Sequence, residues 1–337
     1  MRKKEIIKNV INNRRVVFKP DYRDVGAILL FILLVPYIIS FLFGNVGRGK
    51  DSEEEGEYAG AESGLFQEDR KTAEYIVYNK TAAGTEMIPL ETYLAGRLPA
   101  TVNMEYEMEA LKAQAVVLRT ELMKQAEGGG KYIYVEGQTA KMGEQEYERS
   151  MEAVGSTRGM FLEYGGEIIT APYFAVSAGA TRNGNEVFCS EDYAYLKSVI
   201  CERDFTSESY TGGIRMSRYV FWNRLGELIP DMEYEEALTV EEQLVLDRDR
   251  AEYVTEVSLN GKSVSGEVFR EAFALNSSCF ELEQEGDMVL IKTKGVGHGL
   301  GLCQYAANEA AKKGSDYIDI LNYFFSDIVI EKIGESG

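Results

Sequence analysis

The stretch KGVGHGLGLCQY, Lys294 to Tyr305, holds the only histidine of the chain, His298, interleaved with Gly295, Gly297, Gly299 and Gly301. An imidazole changes charge near neutral pH, so it can move a proton or donate and accept hydrogen bonds. Backbone without side chains lets a flat or extended ligand approach closely and offers its N–H groups as donors. The flanking glycines leave the histidine little side-chain core to fill. The segment therefore reads as a ligand-facing wall, with Gln304 and Tyr305 at the start of the helix that follows. Ser177, in VSAGAT, could act as a nucleophile with His298 as its base, but there is no GxSxG elbow to present it. A nucleotide-binding reading of the glycines fails on spacing, because GxGxxG would need glycine at Leu300 or Leu302.

Two further polar residues flank an apolar stripe. In NMEYEMEALKAQAVVLRTELMKQAEGGG, Met108, Leu111, Ala115, Leu118 and Leu122 recur at helical spacing. Asn103 is placed to cap this helix, acids fill its first turns and three glycines end it. Gln114 and Arg119 border the stripe, where they can reach a neighbouring cleft, although an ordinary boundary glutamine and a snorkelling arginine would look the same.

The elements around these segments are mostly hairpins. GMFLEYGGEIITAPYFAVSAG turns at Gly165-Gly166, YVTEVSLNGKSVSGEVFREAF turns at Asn260-Gly261 and runs into a short helix, and CFELEQEGDMVLIKT forms a third. QYAANEAAKKG and DYIDILNYFF read as two short helices divided by Gly314-Ser315, before a last strand, DIVIEKI. EYIVYN, near Glu74, reads as the first strand. Hairpins beside segregated helices, without regular alternation, indicate an α+β domain.

The N-terminal part is of another kind. Residues 1–24 carry eight Lys/Arg against three acids, and VGAILLFILLVPYIISFLFGNV, residues 25–46, is uncharged. At 1.5 Å per residue such a run crosses a hydrocarbon core of about 30 Å. The expected arrangement is a basic cytoplasmic tail (1–24), a single-pass transmembrane helix (25–46), an acidic, Gly-rich tether (47–73) and an extracytoplasmic mixed α/β domain (74–337). Beyond the anchor, 28 basic residues face 52 acidic ones. That balance argues against nucleic acid as a partner. Four cysteines, Cys189, Cys201, Cys279 and Cys303, fall in the expected exterior part, where disulfides are permitted. Cys189 and Cys201 are close in sequence and form the natural first pair, with three connectivities open. With no CxxC and one histidine, no metal and no cofactor is expected.

Taken together, PLETYLAGRLPATVNMEYEMEALKAQAVVLRT, APYFAVSAGAT, YAYLKSV, FREAFALNSSCFEL and GVGHGLGLCQYAANEAAKKG resemble, in that order, the stage II sporulation protein D (SpoIID/LytB) family over about residues 74 to 333. The resemblance implies a peptidoglycan ligand. It also implies lytic transglycosylase activity on glycan strands already stripped of stem peptides, in engulfment, alongside a cell-wall amidase and a polytopic membrane protein. Such cleavage uses one carboxylic acid, which protonates the glycosidic oxygen and then serves as a base while the sugar's 6-hydroxyl closes an anhydro ring.

The chain departs from the family where that acid belongs. The family's Glu-Met-Pro step aligns with Thr101-Val102-Asn103, and a threonine hydroxyl cannot protonate a leaving group near neutral pH. Glu105 and Glu107 are the nearest acids that could substitute, though both suit the dipole of the coming helix. The histidine and cysteines that hold zinc in some members have no match here. The resemblance implies glycan contacts from Gln114, Arg119, Ser177, His298, Gln304 and Tyr305, with Thr101 facing a groove bordered by His298 and Gln114. Without a working acid, the alternative is a non-catalytic glycan binder or amidase enhancer.

Overall fold

The computed structural model describes residues 75–81, 84–126, 131–136 and 143–334, all within one compact unit, Glu62–Gly337. The expected cytoplasmic tail, transmembrane helix and tether lie outside the described residues. Among those residues, no helix is long and apolar enough to cross a membrane.

The domain is α+β. It opens with β1 (Ile76–Thr81), β2 (Gly84–Pro89) and α1 (Leu90–Arg97), followed by a 3-10 turn, Leu98–Ala100. Next come α2 (Met108–Lys124), β3 (Tyr132–Glu136) and α3 (Glu144–Ser156). β1 pairs antiparallel with β2 and parallel with β3, Ile76 lying opposite both Pro89 and Tyr132. A parallel pair needs a long crossover, and here α1 and α2 supply it.

α2 is the septum of this half. Leu111, Ala115, Leu118 and Leu122 pack into one core with Leu94, Leu98 and Val154 from α1, the 3-10 turn and α3. Ala110, Ala113, Val116 and Val117 pack into a second core with Leu302, Ile320 and Phe324. Apolar side chains on both flanks bury the helix almost all round, which a single stripe does not convey. The helix also starts later than expected. Asn103 does not cap it but accepts a hydrogen bond from the Glu105 N–H at 3.0 Å, closing a local turn, and Glu107 is the residue before the first turn.

β4 (Met160–Tyr164) and β5 (Glu167–Ile168) form the expected hairpin, with Gly165 and Gly166 both at positive φ. It is shorter than the sequence suggested. β6 (Tyr173–Phe174) leaves it to pair in parallel with β13 (Leu302–Cys303) instead. After α4 (Gly184–Phe188) comes β7 (Thr211–Ser217), then α5 (Arg218–Leu228) and α6 (Val240–Gln243). β8 (Val245–Arg248) and β9 (Val254–Leu259) precede β10 (Lys262–Ser265) and α7 (Gly266–Ala272). The β9–β10 turn is the expected Asn260-Gly261, both residues at positive φ.

β11 (Phe280–Glu285) and β12 (Met288–Lys294) form the third hairpin, and β12 also pairs with β7. Trp222 and Phe221 of α5, Phe269 of α7 and Phe273 just after it, and Val289 and Ile291 of β12 make a third core. The chain ends with α8 (Gln304–Lys312), α9 (Tyr317–Phe324) and β14 (Val329–Lys332), which pairs with β4.

Candidate functional site

The segments at Thr101 and at the end of the glycine comb, far apart in sequence, meet. Gln304, the first residue of α8, donates through Nε2 to the Thr101 carbonyl at 2.6 Å and to Gln114 Oε1 at 3.2 Å. Thr101 itself closes the 3-10 turn, its hydroxyl donating to the Leu98 carbonyl at 2.8 Å. Three segments of the chain therefore join at one polar node. Gln114 is fully buried there and Gln304 nearly so.

Gln114 is fully buried, so it does not itself border an open groove, and several expected contacts have other tasks. Arg119 is wholly buried and grips Glu91 with two hydrogen bonds, Nε to Oε1 at 2.8 Å and Nη2 to Oε2 at 2.7 Å. Its Nη1 donates to the Met160 carbonyl at 3.0 Å. This fork cross-links α1, α2 and β4, so Arg119 is a structural clamp and not a ligand contact. Ser177 is also fully buried. Its hydroxyl accepts from the Gly179 N–H and is hydrogen-bonded to Asp204, not to His298, which removes the serine-nucleophile arrangement.

His298 is held by its own turn. Its Nδ1 accepts the Leu300 N–H at 3.1 Å, and a further hydrogen bond ties it to the Tyr173 backbone. Its ring lies 5.6 Å from that of Phe174. Burial pushes its pKa down to about 4, against the opposing pull of Glu267, so it is neutral near pH 7. The neighbouring carboxylate belongs to a buried ion network. Arg182 donates to Asp249 at 2.6 Å and to Glu267 at 3.0 Å, and Arg270 reaches Glu267 at 2.8 Å. Burial alone would raise the Glu267 pKa, but Arg270, Arg182 and the Ser278 hydroxyl more than offset it, and its carboxyl lies below the usual range.

The glycines likewise serve the chain's own packing. At Gly301, φ is +74° and a Cβ would lie 2.1 Å from the Pro172 carbonyl oxygen; at Gly297, φ is +111° and a Cβ would meet Phe174 Cβ at 2.6 Å. The comb is a zip that lets residues 295–302 run against residues 172–182, with Val176 and Val296 exchanging backbone hydrogen bonds.

Of the remaining expected residues, Tyr305 is half-buried, and its hydroxyl is 2.9 Å from that of exposed Thr206. Glu105 and Glu107 are exposed, and the Glu107 N–H donates to Asn308 Oδ1 at 2.8 Å. Beside α8 lies an open groove of about 750 Å³ bordered by Ile200, Cys201, Arg203, Ala306, Glu309 and Tyr323. Sequence reasoning did not reach this groove, whose walls come from residues 199–203 and the last two helices.

A second residue missed from sequence is Glu121 on α2. It lies seven residues beyond Gln114, hence on the same face and about 10 Å along the axis. Burial pushes its carboxyl up to about 7, moderated by the hydrogen bond it accepts from the Ala171 N–H and by Lys124. Its helical spacing from Gln114 was visible, but its burial was not.

The domain is mixed α+β and ties its long central helix to the start of α8 through one glutamine. The family model for the stage II sporulation protein (SpoIID) matches residues 78–164. Stage II sporulation protein D of Bacillus subtilis is 30% identical over 276 residues, 76% of this chain and 78% of that protein. Its counterpart in Bacillus amyloliquefaciens is 29% identical over 342 residues, 93% and 96% of the two chains. An amidase enhancer of Bacillus subtilis is 23% identical over 282 residues, 69% of this chain and 39% of that protein. The chain belongs to the stage II sporulation protein D family.

Proposed function

We propose that this protein works at the cell wall in sporulation as a membrane-anchored binder of peptidoglycan glycan strands that does not cut them and assists an amidase. The observation that carries the reading is Thr101. It stands where the family's acid is expected, and its hydroxyl donates to the Leu98 carbonyl. A threonine so placed has no proton to give a leaving oxygen. The open groove beside α8, with Tyr323 for stacking on sugar rings and Arg203 and Glu309 for hydroxyl groups, is a fitting bed for a strand. The similarity to an amidase enhancer is consistent with a stimulating role.

One observation favours a second reading, in which cleavage persists through a displaced acid. Glu121, with its carboxyl pushed up to about 7, has the protonation behaviour of a general acid, whereas Glu105 is exposed to solvent. Full-length protein incubated with amidase-treated sacculi separates the two. Cosedimentation without anhydro-ended products is the expected result. Products that vanish in Glu121→Gln would establish cleavage, and absence of both binding and products would refute both readings.

A further inference from the structure

Cys201, Asp204 and Cys303 are each buried, and their two sulfur atoms and a carboxylate oxygen lie within 4.8 Å of one another. The pairing expected for Cys189 and Cys201 does not form. All four cysteines are free thiols, Cys189 is exposed, and the neighbour of Cys201 is Cys303, 102 residues away. We propose that this cluster is a zinc site, with Cys201 Sγ, Cys303 Sγ and the Asp204 carboxylate as protein ligands and a water in the fourth position.

The local chain geometry suits the ion. Cys201-Glu202-Arg203-Asp204 is a C-x-x-D turn closed by the Asp204 N–H donating to the Cys201 carbonyl at 3.1 Å. The turn brings two ligands three residues apart to one side, and three protein ligands with a water in the fourth position is the coordination of an open zinc site. The third ligand arrives from the end of β13, where Cys303 leads directly into α8. Tetrahedral zinc with bonds of about 2.3 Å to sulfur and about 2.0 Å to oxygen needs ligand atoms about 3.5–3.8 Å apart, so a small rearrangement, in which Cys303 and Asp204 leave hydrogen-bond distance, completes the set.

The orphan atoms point the same way. Asp204 Oδ2 is engaged, accepting from the Ser177 N–H at 2.7 Å and from the Cys303 thiol at 3.0 Å. Its Oδ1 is buried with no hydrogen-bond partner among the described residues. A buried carboxylate oxygen left without donor or cation is costly, and a bound cation removes that cost. Cysteine binds zinc as thiolate, so binding would release the thiol protons to solvent as the ligands form. The Ser177 hydroxyl, bonded to Asp204, then serves as the outer-shell partner that orients the carboxylate.

Ligand type selects the metal. Two thiolates with one carboxylate favour zinc over magnesium or calcium, which take oxygen ligands alone. An entry path is present, because Cys201 lines the groove beside α8. The bound ion would clamp the 199–206 segment, one wall of that groove, onto the root of α8, the other.

The test is metal analysis of the full chain purified under reducing conditions, incubated with zinc sulfate and freed of excess. About one zinc per chain is expected, retained in Cys189→Ser and lost in both Cys201→Ser and Cys303→Ser. X-ray absorption at the zinc edge of the unaltered chain should give two sulfur scatterers at about 2.3 Å, a result that does not depend on the variants folding. A chain that holds no zinc, zinc bound without sulfur scatterers, zinc that survives both cysteine substitutions in folded protein, or a disulfide joining Cys201 to Cys303 would overturn the proposal.

Discussion

Gln304 Nε2 lies 2.6 Å from the carbonyl oxygen of Thr101, a hydrogen bond that spans 203 residues of sequence. Together with its 3.2 Å contact to Gln114 Oε1, it fixes the start of α8 against both the 3-10 turn and the middle of α2. Leucine is close in volume but cannot donate. Gln304→Leu should therefore leave Gln114 Oε1 and the Thr101 carbonyl without that donor and lower stability by about 1–3 kcal/mol. Urea titration measures it. A change below about 0.5 kcal/mol would mean that the node contributes little to holding the segments together.

Arg119 and Glu91 make the sharper case, since both are buried and the pair is bidentate. Removing one partner leaves the other charge uncompensated, typically at about 3–5 kcal/mol. Arg119→Leu should unfold at markedly lower urea than wild type, and Arg119→Leu paired with Glu91→Leu should recover part of the loss. If the single variant kept full stability and lost only glycan binding, the structural task assigned to Arg119 would be wrong.

Two half-buried groups give opposite pH dependences. His298, pushed down from 6.5 to about 4, stays neutral in the fold while the unfolded chain takes up a proton. Its stabilising contribution is complete above about pH 6.5 and is lost as pH falls toward 4. Glu121, pushed up from 4.5 to about 7, works the other way, with stability complete below about pH 4.5 and lost as pH rises through 7. Subtracting the stability profile of Glu121→Gln from that of wild type should give a difference that falls between pH 4.5 and 7. The corresponding subtraction with His298→Asn should give a difference that rises between pH 4 and 6.5. Flat differences would show that neither group is buried as described.

What the sequence conveyed follows from how local each signal is. Asn260-Gly261 and Gly165-Gly166 were legible as turns because positive φ is a property of those residues themselves. Asn103 misled because its side chain can cap a helix or close a two-residue turn, and the choice depends on where α2 packs. Gln114 and Arg119 looked like boundary residues on one stripe. Gln114 is buried by the segment that carries Gln304, and Arg119 by Glu91, Val154 and Met160, all brought to α2 from elsewhere in the chain. β7 was missed because Gly212 and Gly213 dilute its strand pattern. A Cβ there would meet Asn276 and Ile291 at 2.7 and 2.6 Å, so the glycines record a close approach that only the fold reveals. The pairing of Cys201 with Cys303 across 102 residues has no local signal at all.

Gly301 and Gly314 are both at positive φ, +74° and +95°, yet they should respond differently to alanine. At Gly314 nothing lies within 4 Å of the new Cβ, so only the backbone strain of about 1–2 kcal/mol is expected. At Gly301 the new carbon would sit 2.1 Å from the Pro172 carbonyl oxygen, and β6 and β13 would have to part. Gly301→Ala should therefore cost several kcal/mol or prevent folding, while Gly314→Ala melts a few degrees low. Thermal melts of the two variants side by side check the order, and equal losses would mean the comb is not packed as tightly as the structure has it.

The last prediction concerns Thr101, whose side chain projects from the end of the 3-10 turn beside the Gln304 node and remains partly exposed. If the missing acid alone separates this protein from glycan-cleaving relatives, Thr101→Glu should create activity where wild type has none. The glutamate can protonate a glycosidic oxygen and then take the proton of the 6-hydroxyl as the anhydro ring closes. Mass spectrometry of amidase-treated sacculi after incubation should find anhydro-ended fragments with Thr101→Glu and none with Thr101→Gln, which has nearly the same shape and no acid. Fragments from wild type would instead point to Glu121 and to retained catalysis. If Thr101→Glu folded and bound strands yet released nothing, more of the catalytic geometry than one carboxylate would have to be absent from this chain.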